Sequence, residues 1–178
     1  MKVTLIKAPT DEDLRFCKHC LWVTDRKRKK QAPKTRISSE TLKKILDARH
    51  SPIRVLQFGF LIEDIPSNTA THLVRHVHAQ PFVGSLRNDR QEEMDGDAAR
   101  RDTPVDMILY CNAEELMTIA NKRLCNRAAA KTREAMLGMC AEAIKAMPEL
   151  ASYLVPMCEY RGGCHEINGC GRWKKQNE

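Results

Sequence analysis

Apolar and polar residues alternate in two stretches of the chain and follow helical spacing in others. The alternation over residues 53–63 predicts a half-buried strand, and residues 1–8 predict a short edge strand. Helical spacing predicts a helix over residues 11–23 with Asp11 as its cap, and a second helix that opens at residues 38–40. The first third of the chain therefore mixes strands and helices.

Breaks in the pattern divide the middle of the chain. Ser67 or Asn68 starts a helix that carries residues 72–76, and Pro81 with Gly84 ends that helix in an irregular loop.

The C-terminal half shows a different pattern. Residues 88–105 are polar and turn-rich, which predicts a surface loop. Residues 106–147 give the strongest helical signal of the chain, with a break near Arg127 and an end at Pro148. Taken together, these elements predict an α+β fold in which helices prevail.

At 178 residues the chain has the length of one domain and can bury most of its apolar surface. Hydrophobic residues make up 42% and charged residues 30% of the sequence, as in ordinary globular proteins. The apolar runs are shorter than the roughly 18–20 residues that span a bilayer, and the start lacks the pattern of a signal peptide. We therefore expect a cytoplasmic protein whose eight cysteines are reduced.

The net charge of +7 favours anionic partners such as nucleotides, polyanionic cofactors or nucleic acid. Much of this charge lies in a basic block, Arg26–Lys30, with Lys34 and Arg36 beyond it. The simplest interpretation of the block is a solvated loop. Binding of phosphate or nucleic acid is the alternative.

A second basic cluster also contains histidine and serine. Arg75 and His76 stand side by side at the end of an apolar segment, Ser85 follows ten residues after Arg75, and Arg87 and Arg90 come next. Arginine is well suited to bind phosphate because its planar guanidinium keeps its charge and presents a fork of donors. The cluster therefore predicts a pocket for a phosphorylated ligand.

The spacing within this cluster resembles the signature of the flavin-dependent thymidylate synthases. That signature is Arg-His-Arg, seven residues and Ser, and here Arg75-His76-Val77 is followed by seven residues and Ser85. Further landmarks occur in the family's order, over roughly residues 1–147. They are His50-Ser51-Pro52 before the segment 57–63, Asn112 eleven residues before Arg123, and the segment 126–133 in place of the family's Ala-Gln-Trp-Glu-Ile-Arg.

The resemblance implies a fold, an activity and a site. The fold is a single domain with helices packed on a mainly antiparallel sheet, and the activity is reductive methylation of dUMP to dTMP. The cofactor implied is FAD, with NADPH and methylenetetrahydrofolate as co-substrates, and the assembly implied is a homotetramer with flavin sites between subunits. The FAD contacts implied are Ser51, Arg75, His76, Val77 and Asn112, and the nucleotide contacts are His72, Ser85, Leu86, Arg87 and Arg123. Arg123 and Ser85 are the catalytic candidates among them.

The sequence departs from the family pattern at several positions. Val77 replaces the third signature residue, Val83 stands where an acidic residue is expected, His72 replaces a Gln, and the segment 130–132 replaces Trp-Glu-Ile. These departures leave other substrates open. The alternatives are a related flavin enzyme that methylates or hydroxymethylates carbon 5 of another pyrimidine nucleotide, and a basic nucleic-acid-binding module with a zinc tail.

The C-terminal residues 158–178 form a cysteine- and glycine-rich tail beyond a predicted domain of residues 1–157. Zinc is one interpretation of this composition, because three thiols and an imidazole complete a tetrahedral site. The alternatives are reduced cysteines that pack a turn, and a phosphate held with the help of Arg161. The candidate ligands for zinc are Cys158, Cys164, His165 and Cys170.

Overall fold

The computed structural model describes residues 1–25, 31–90 and 95–173. The basic block Arg26–Lys30 lies outside the described residues, so its predicted role stays a prediction. Within the described part, the helices and strands follow one another in this order: β1 (Lys2–Lys7), α1 (Asp11–Thr24), α2 (Ser39–Asp47), β2 (Gln57–Pro66), α3 (Ser67–Val74), β3 (Gln80–Val83), β4 (Pro104–Asn112), α4 (Ala113–Arg123), α5 (Ala130–Ala146) and α6 (Met157–Tyr160).

The four strands form one antiparallel sheet in the order β1-β2-β4-β3. The predicted edge position of the first strand is therefore confirmed, as are the α+β class and the antiparallel sheet. β2 and β4 occupy the centre, where Phe60 pairs with Leu109. A bulge after Ile62 places Asp64 at a φ of 55°, and the Asp64 amide donates to Asp106 Oδ1 at 3.1 Å.

Side-chain caps start three of the helices in the described part of the chain, α1, α2 and α4. Thr10 caps α1 in a reciprocal capping box with Asp13, so the prediction of Asp11 as the cap is one residue too late. Ser38 caps α2, in agreement with the predicted start of this helix at residues 38–40, and Asn112 caps α4 by accepting from the Glu115 amide at 2.9 Å.

The core lies between the sheet and the helices. Phe58, Phe60 and Ile62 of β2 are fully buried, and α5 packs against β1. The backbones approach closely at Gly138, where a Cβ would lie 2.8 Å from Val3 Cγ2. Burial of this apolar surface is the main force that holds the helices on the sheet.

The predicted long helix over residues 106–147 is wrong in its first part. Residues 104–112 form β4, with Val105, Met107, Leu109 and Cys111 buried and the residues between them more exposed. Pairing with β2 on one side and β3 on the other overrides the helical propensity of this segment. The predicted break near Arg127 is confirmed, since α4 ends at Arg123 and α5 begins at Ala130.

Three boundaries also differ from the prediction. Residues 51–55 form a 3₁₀ helix, so the strand predicted from residue 53 begins at Gln57. α3 ends at Val74, so Arg75 is its C-cap and His76 lies in the turn beyond. Pro81 does not begin a loop but lies in β3, at the edge of the sheet where a missing amide is tolerated.

A hydrogen-bond network ties the end of α2 to α4 and the C-terminal segment. Arg49, at a φ of 45°, donates to the Tyr160 hydroxyl, to Thr118 Oγ1 and to Asn121 Oδ1 at 2.5 Å. The fully buried Asn121 amide donates in turn to the carbonyls of Tyr153 and Val155. The predicted domain boundary at residue 157 falls at the start of α6 and stays a prediction. No helix in the described ranges is long and apolar enough to cross a bilayer.

Candidate functional site

Arg123, the last residue of α4, joins that helix to α3 and to the turn after α3. Its Nε donates to His76 Nε2 at 3.0 Å, and its Nη2 donates to the His72 carbonyl at 2.6 Å. Two acceptors therefore fix the plane of the guanidinium. The structure brings together three of the predicted site residues at this point, and we call them the α3–α4 cluster: His72, His76 and Arg123.

His76 is largely buried in this cluster, with 11% of its side chain exposed. Burial first, and the nearby Arg123 second, lower the pKa of His76 to about 4. The imidazole is therefore neutral at pH 7, and its Nε2 accepts from Arg123. The Nδ1 atom lies 3.6 Å from Oε1 of Glu115, a carboxylate that is also buried.

Arg75 lies close to Arg123 of the α3–α4 cluster. Burial first and the charge of Arg75 second lower the pKa of the Arg123 guanidinium, while Arg75 itself is exposed at the end of α3. Within the described residues, no carboxylate lies at ion-pair distance from either arginine. Two like charges without a carboxylate partner are favourable for an anionic ligand between them.

A cavity of about 420 Å³ adjoins the cluster at the N-terminus of α4. Its lining residues are Arg54, His78, Asn112, Glu114, Glu115 and Thr118. Because the Asn112 oxygen caps the helix, its amide NH₂ remains to donate to a ligand. The Arg54 guanidinium offsets the charge of Glu114 by an ion pair at 2.5 Å.

Two predicted FAD contacts lie near this end of the molecule. Ser51 is exposed and begins the 3₁₀ helix whose Arg54 lines the cavity. Val77 follows His76 and has 84% of its surface exposed, so its side chain is free to meet a ligand or another chain.

His72 replaces a Gln of the family pattern, and it contacts Thr132, which lies in the segment that replaces the family's Trp-Glu-Ile. His72 Nδ1 lies 2.8 Å from Oγ1 of Thr132, which is fully buried on α5. The hydroxyl holds the imidazole and leaves His72 Nε2 as the ring atom available to a ligand.

Ser85, Leu86 and Arg87 form a second group, the post-β3 segment. Ser85 Oγ accepts from the Arg87 amide at 3.2 Å, and the Arg87 guanidinium makes two bonds to the carboxylate of Asp89, at 2.9 and 3.0 Å. Leu86 is half-buried against the core. Ser85 and Arg87 are exposed, and no hydrogen bond among the described residues joins them to the α3–α4 cluster.

The sheet places this segment far from the cavity. The Gly84 amide donates to the Asp106 carbonyl at 2.7 Å, so Ser85 lies beside the start of β4, whereas Asn112 ends that strand. At about 3.4 Å per residue, the distance along the strand from Asp106 to Asn112 is roughly 20 Å. Within one chain the sheet thus keeps the post-β3 segment apart from the cavity at Asn112.

The predicted zinc ligands line one cavity of about 230 Å³, together with Cys125 from the α4–α5 connection. All these cysteines are free thiols. The described residues contain no group of three or more His, Cys, Asp or Glu side chains arranged to hold a metal ion. The zinc site therefore gains no support from the geometry and stays a prediction. Arg161 lines the same cavity.

Sequence reasoning missed Glu115 and Thr132 as parts of the cluster. Glu115 stands three residues after Asn112, which is a common capping pattern, so nothing in the sequence shows that its side chain turns toward His76. Thr132 is 60 residues from His72 in sequence, and only the packing of α3 against α5 brings them together.

No protein-family model and no curated protein matches the chain. Solved structures do share its fold. The chain is similar to the UMP/dUMP methylase PolB from Streptomyces cacaoi, bound with 5-Br dUMP, at a TM-score of 0.66 and 16% identity over 86% of this chain and 96% of that one. It is also similar to thymidylate synthase X (ThyX) from Helicobacter pylori, with FAD and dUMP, at a TM-score of 0.66 and 14% identity over 89% of this chain and 99% of that one.

At these identities the likeness establishes the fold alone. The predicted α+β architecture of the flavin-dependent thymidylate synthases is therefore confirmed for the described chain. The activity, substrate and cofactor of this chain must be argued from the residues of its own site.

Proposed function

We propose that this protein is a flavin-dependent enzyme that methylates carbon 5 of dUMP, with methylenetetrahydrofolate as the carbon donor and NADPH as the reductant. The observation that carries the proposal is the meeting of His72, His76 and Arg123 at the end of α3. The family resemblance in the sequence implies these residues as ligand contacts, and they converge in a fold shared with a thymidylate synthase whose structures hold FAD and dUMP.

Arg75 and Asn112, two of the predicted FAD contacts, fit FAD in their chemistry. Arg75 offers an exposed, permanently charged guanidinium for a diphosphate, and the Asn112 amide offers a donor for a flavin ring. The carboxylate of Glu114 is offset by the Arg54 guanidinium, so this charge does not oppose the diphosphate uncompensated. When bound, FAD would supply the hydride chemistry of the reaction.

The α3–α4 cluster supplies a nucleotide site in this proposal. The Arg123 guanidinium, fixed by two acceptors, binds the pyrimidine and stabilises negative charge that develops on the ring. His72, held by Thr132, presents its remaining ring nitrogen to the same ligand. Because the guanidinium is oriented before the substrate arrives, less of the binding energy is lost in ordering it.

The phosphate of the nucleotide requires the post-β3 segment of a second copy. Ser85 and Arg87 have the chemistry of a phosphate cradle, but one chain places them near the start of β4. We therefore propose a homo-oligomer, a homotetramer by resemblance, in which each site combines the α3–α4 cluster of one copy with the post-β3 segment of its neighbour.

UMP is the second candidate substrate, because one of the similar structures is a UMP/dUMP methylase. His72 replaces the Gln of the family pattern and bonds to Thr132, so a predicted nucleotide contact is changed. Both the ribonucleotide UMP and the deoxyribonucleotide dUMP should therefore be tested.

The test is a product assay with a panel of nucleotides. FAD-loaded protein is incubated with NADPH, methylenetetrahydrofolate and dUMP, UMP, dCMP or CMP in turn, and products are identified by mass. The proposal predicts dTMP from dUMP. A methylated or hydroxymethylated product from another nucleotide, without dTMP, would assign the alternative substrate, and protein that takes up no FAD would overturn the proposal.

A further inference from the structure

Glu115 is a buried carboxylate that the proposed reaction does not otherwise use. It is the third residue of α4, and 7% of its side chain is exposed. A buried carboxylate is unfavourable unless a partner compensates its charge. Burial raises the pKa of Glu115, the charge of His78 opposes this rise, and the neighbouring Glu114 adds to it.

Within the described residues, His76 is the one basic side chain at ion-pair distance from Glu115, with 3.6 Å between Nδ1 and Oε1. This separation exceeds that of a hydrogen bond, so the carboxylate acts on His76 mainly through its charge. On the other side of the ring, Nε2 accepts from Arg123 Nε at 3.0 Å. One imidazole therefore connects Glu115 to Arg123.

The direction of this hydrogen bond shows which tautomer of His76 is present. The Nε–H of arginine can only donate, so His76 Nε2 must carry a lone pair. In a neutral imidazole the proton then resides on Nδ1, where it faces the carboxylate of Glu115. A negative charge at that position stabilises the Nδ1–H dipole and disfavours the other tautomer.

The other tautomer would break the connection. With the proton on Nε2, two N–H groups would face each other, and the Arg123 Nε would lose its acceptor. The guanidinium would keep only its bond to the His72 carbonyl and could rotate about it.

We propose that Glu115 is a positioning residue of the nucleotide site: its carboxylate fixes the Nδ1–H tautomer of His76, which holds the Arg123 guanidinium in the plane that receives the pyrimidine. The part that concerns the nucleotide rests on the proposed function. The part that concerns the tautomer rests on the geometry of this chain alone.

The functional test compares Glu115→Gln, which keeps the shape and removes the charge, with the control Glu142→Gln. Glu142 lies on α5 and pairs with Lys145, away from both predicted halves of the site. For Glu115→Gln we expect the dissociation constant of dUMP, measured by calorimetry on the FAD-loaded protein, to rise about tenfold, as for a weakened charge-assisted contact. The flavin content and the KM for NADPH should stay at the wild-type values, as should all these quantities in the control.

The tautomer is read directly from the ¹⁵N shifts of His76 in the wild-type protein at pH 7, a measurement that does not depend on whether the variant folds. We expect a neutral ring with its proton on Nδ1, and in Glu115→Gln an increased share of the Nε2–H form. A wild-type ring protonated on Nε2 would overturn the inference.

The two proposals fail in different ways. If the wild type binds no dUMP, the proposed function is wrong whatever the tautomer. If the wild type binds dUMP and Glu115→Gln binds it equally well, the proposed function survives and the positioning role of Glu115 is wrong.

Discussion

Arg123 donates its Nε–H to His76 Nε2 at 3.0 Å, and this bond joins the end of α4 to the turn after α3. The relationship adds a role that the sequence does not show for either residue. The histidine of the signature-like run accepts a hydrogen bond from the arginine that is the best candidate for nucleotide binding, and its predicted contact with FAD stays a prediction. The pair therefore couples the predicted flavin and nucleotide groups.

Substitution at Arg123 should weaken the binding of the nucleotide, and substitution at Arg75 should weaken the binding of FAD. We expect Arg123→Ala to raise the dissociation constant of dUMP roughly 10–100-fold and to abolish turnover, because charge-assisted hydrogen bonds are lost. Flavin content should be unchanged. Arg75→Ala should show the opposite pattern, with FAD lost on gel filtration. Flavin absorbance and calorimetry measure both, and normal turnover by Arg123→Ala would refute its assigned role.

The buried neutral state of His76 should make stability depend on pH. Because its pKa is about 4 in the folded protein and 6.5 ordinarily, the unfolded chain binds the extra proton between these values. The free energy of unfolding should therefore fall by about 2–3 kcal/mol as pH falls from 6.5 to 4, and this contribution should be fully present above pH 6.5.

Urea unfolding at several pH values measures this effect. The matched variant His76→Gln cannot titrate, so its stability should fall less over the same window. Equal slopes for the two proteins would contradict the assignment of a depressed pKa to His76.

The hydroxyl of Thr132 should orient His72. Thr132→Val preserves the shape and removes the bond to His72 Nδ1, so we expect nucleotide affinity to fall about threefold to tenfold, the range of one neutral hydrogen bond. Thr132→Ser, which keeps the hydroxyl, should bind nearly as the wild type does. Identical affinities for Thr132→Val and the wild type would show that the His72 side chain does not contact the nucleotide.

Asn121 should be among the most sensitive positions for stability. Asn121→Ala leaves the carbonyls of Tyr153 and Val155 and the Nη2 of Arg49 without this partner, which should destabilise the fold by about 2–4 kcal/mol. The exposed Asn126→Ala should change the free energy of unfolding by less than about 0.5 kcal/mol. Denaturant unfolding of the two variants checks this contrast.

Two inactive variants should restore activity when they share an oligomer. If each site takes Arg87 from one copy and Arg123 from another, mixed assemblies of Arg87→Ala and Arg123→Ala contain some sites with both arginines. With random mixing of equal amounts, about half of the sites receive an intact Arg87, and about half of those also receive an intact Arg123. About a quarter of wild-type activity should therefore be recovered. Co-expression with two affinity tags isolates the hybrids, and hybrids as inactive as their parents would place both arginines in the same copy.

Local signals in the sequence were sufficient for part of the fold. The helix predicted over residues 11–23 forms over residues 11–24, and α2 starts within the predicted residues 38–40, because apolar spacing and capping chemistry act within a few residues. Residues 106–112 were predicted as helix and form a strand, because their neighbours β2 and β3 come from far along the chain and no local pattern contains them.

The same distinction holds for the site. The family resemblance implies Arg75, Ser85 and Arg123 as ligand contacts, but it does not reveal that the sheet separates Ser85 from the cavity at Asn112. Nor does it reveal Glu115, whose role depends on the buried contact with His76. Sequence identifies candidate groups, and only packing determines which of them meet.

The proposed methylation of dUMP is tested most directly by the fate of the one-carbon unit. FAD-loaded wild-type protein is incubated with NADPH, dUMP and methylenetetrahydrofolate that carries ¹³C in the methylene group, and the nucleotide product is followed by NMR. We expect dTMP with the label in its carbon-5 methyl group, and no labelled nucleotide when FAD is left out. A flavin-loaded protein that binds dUMP and transfers no label to it would contradict the central claim.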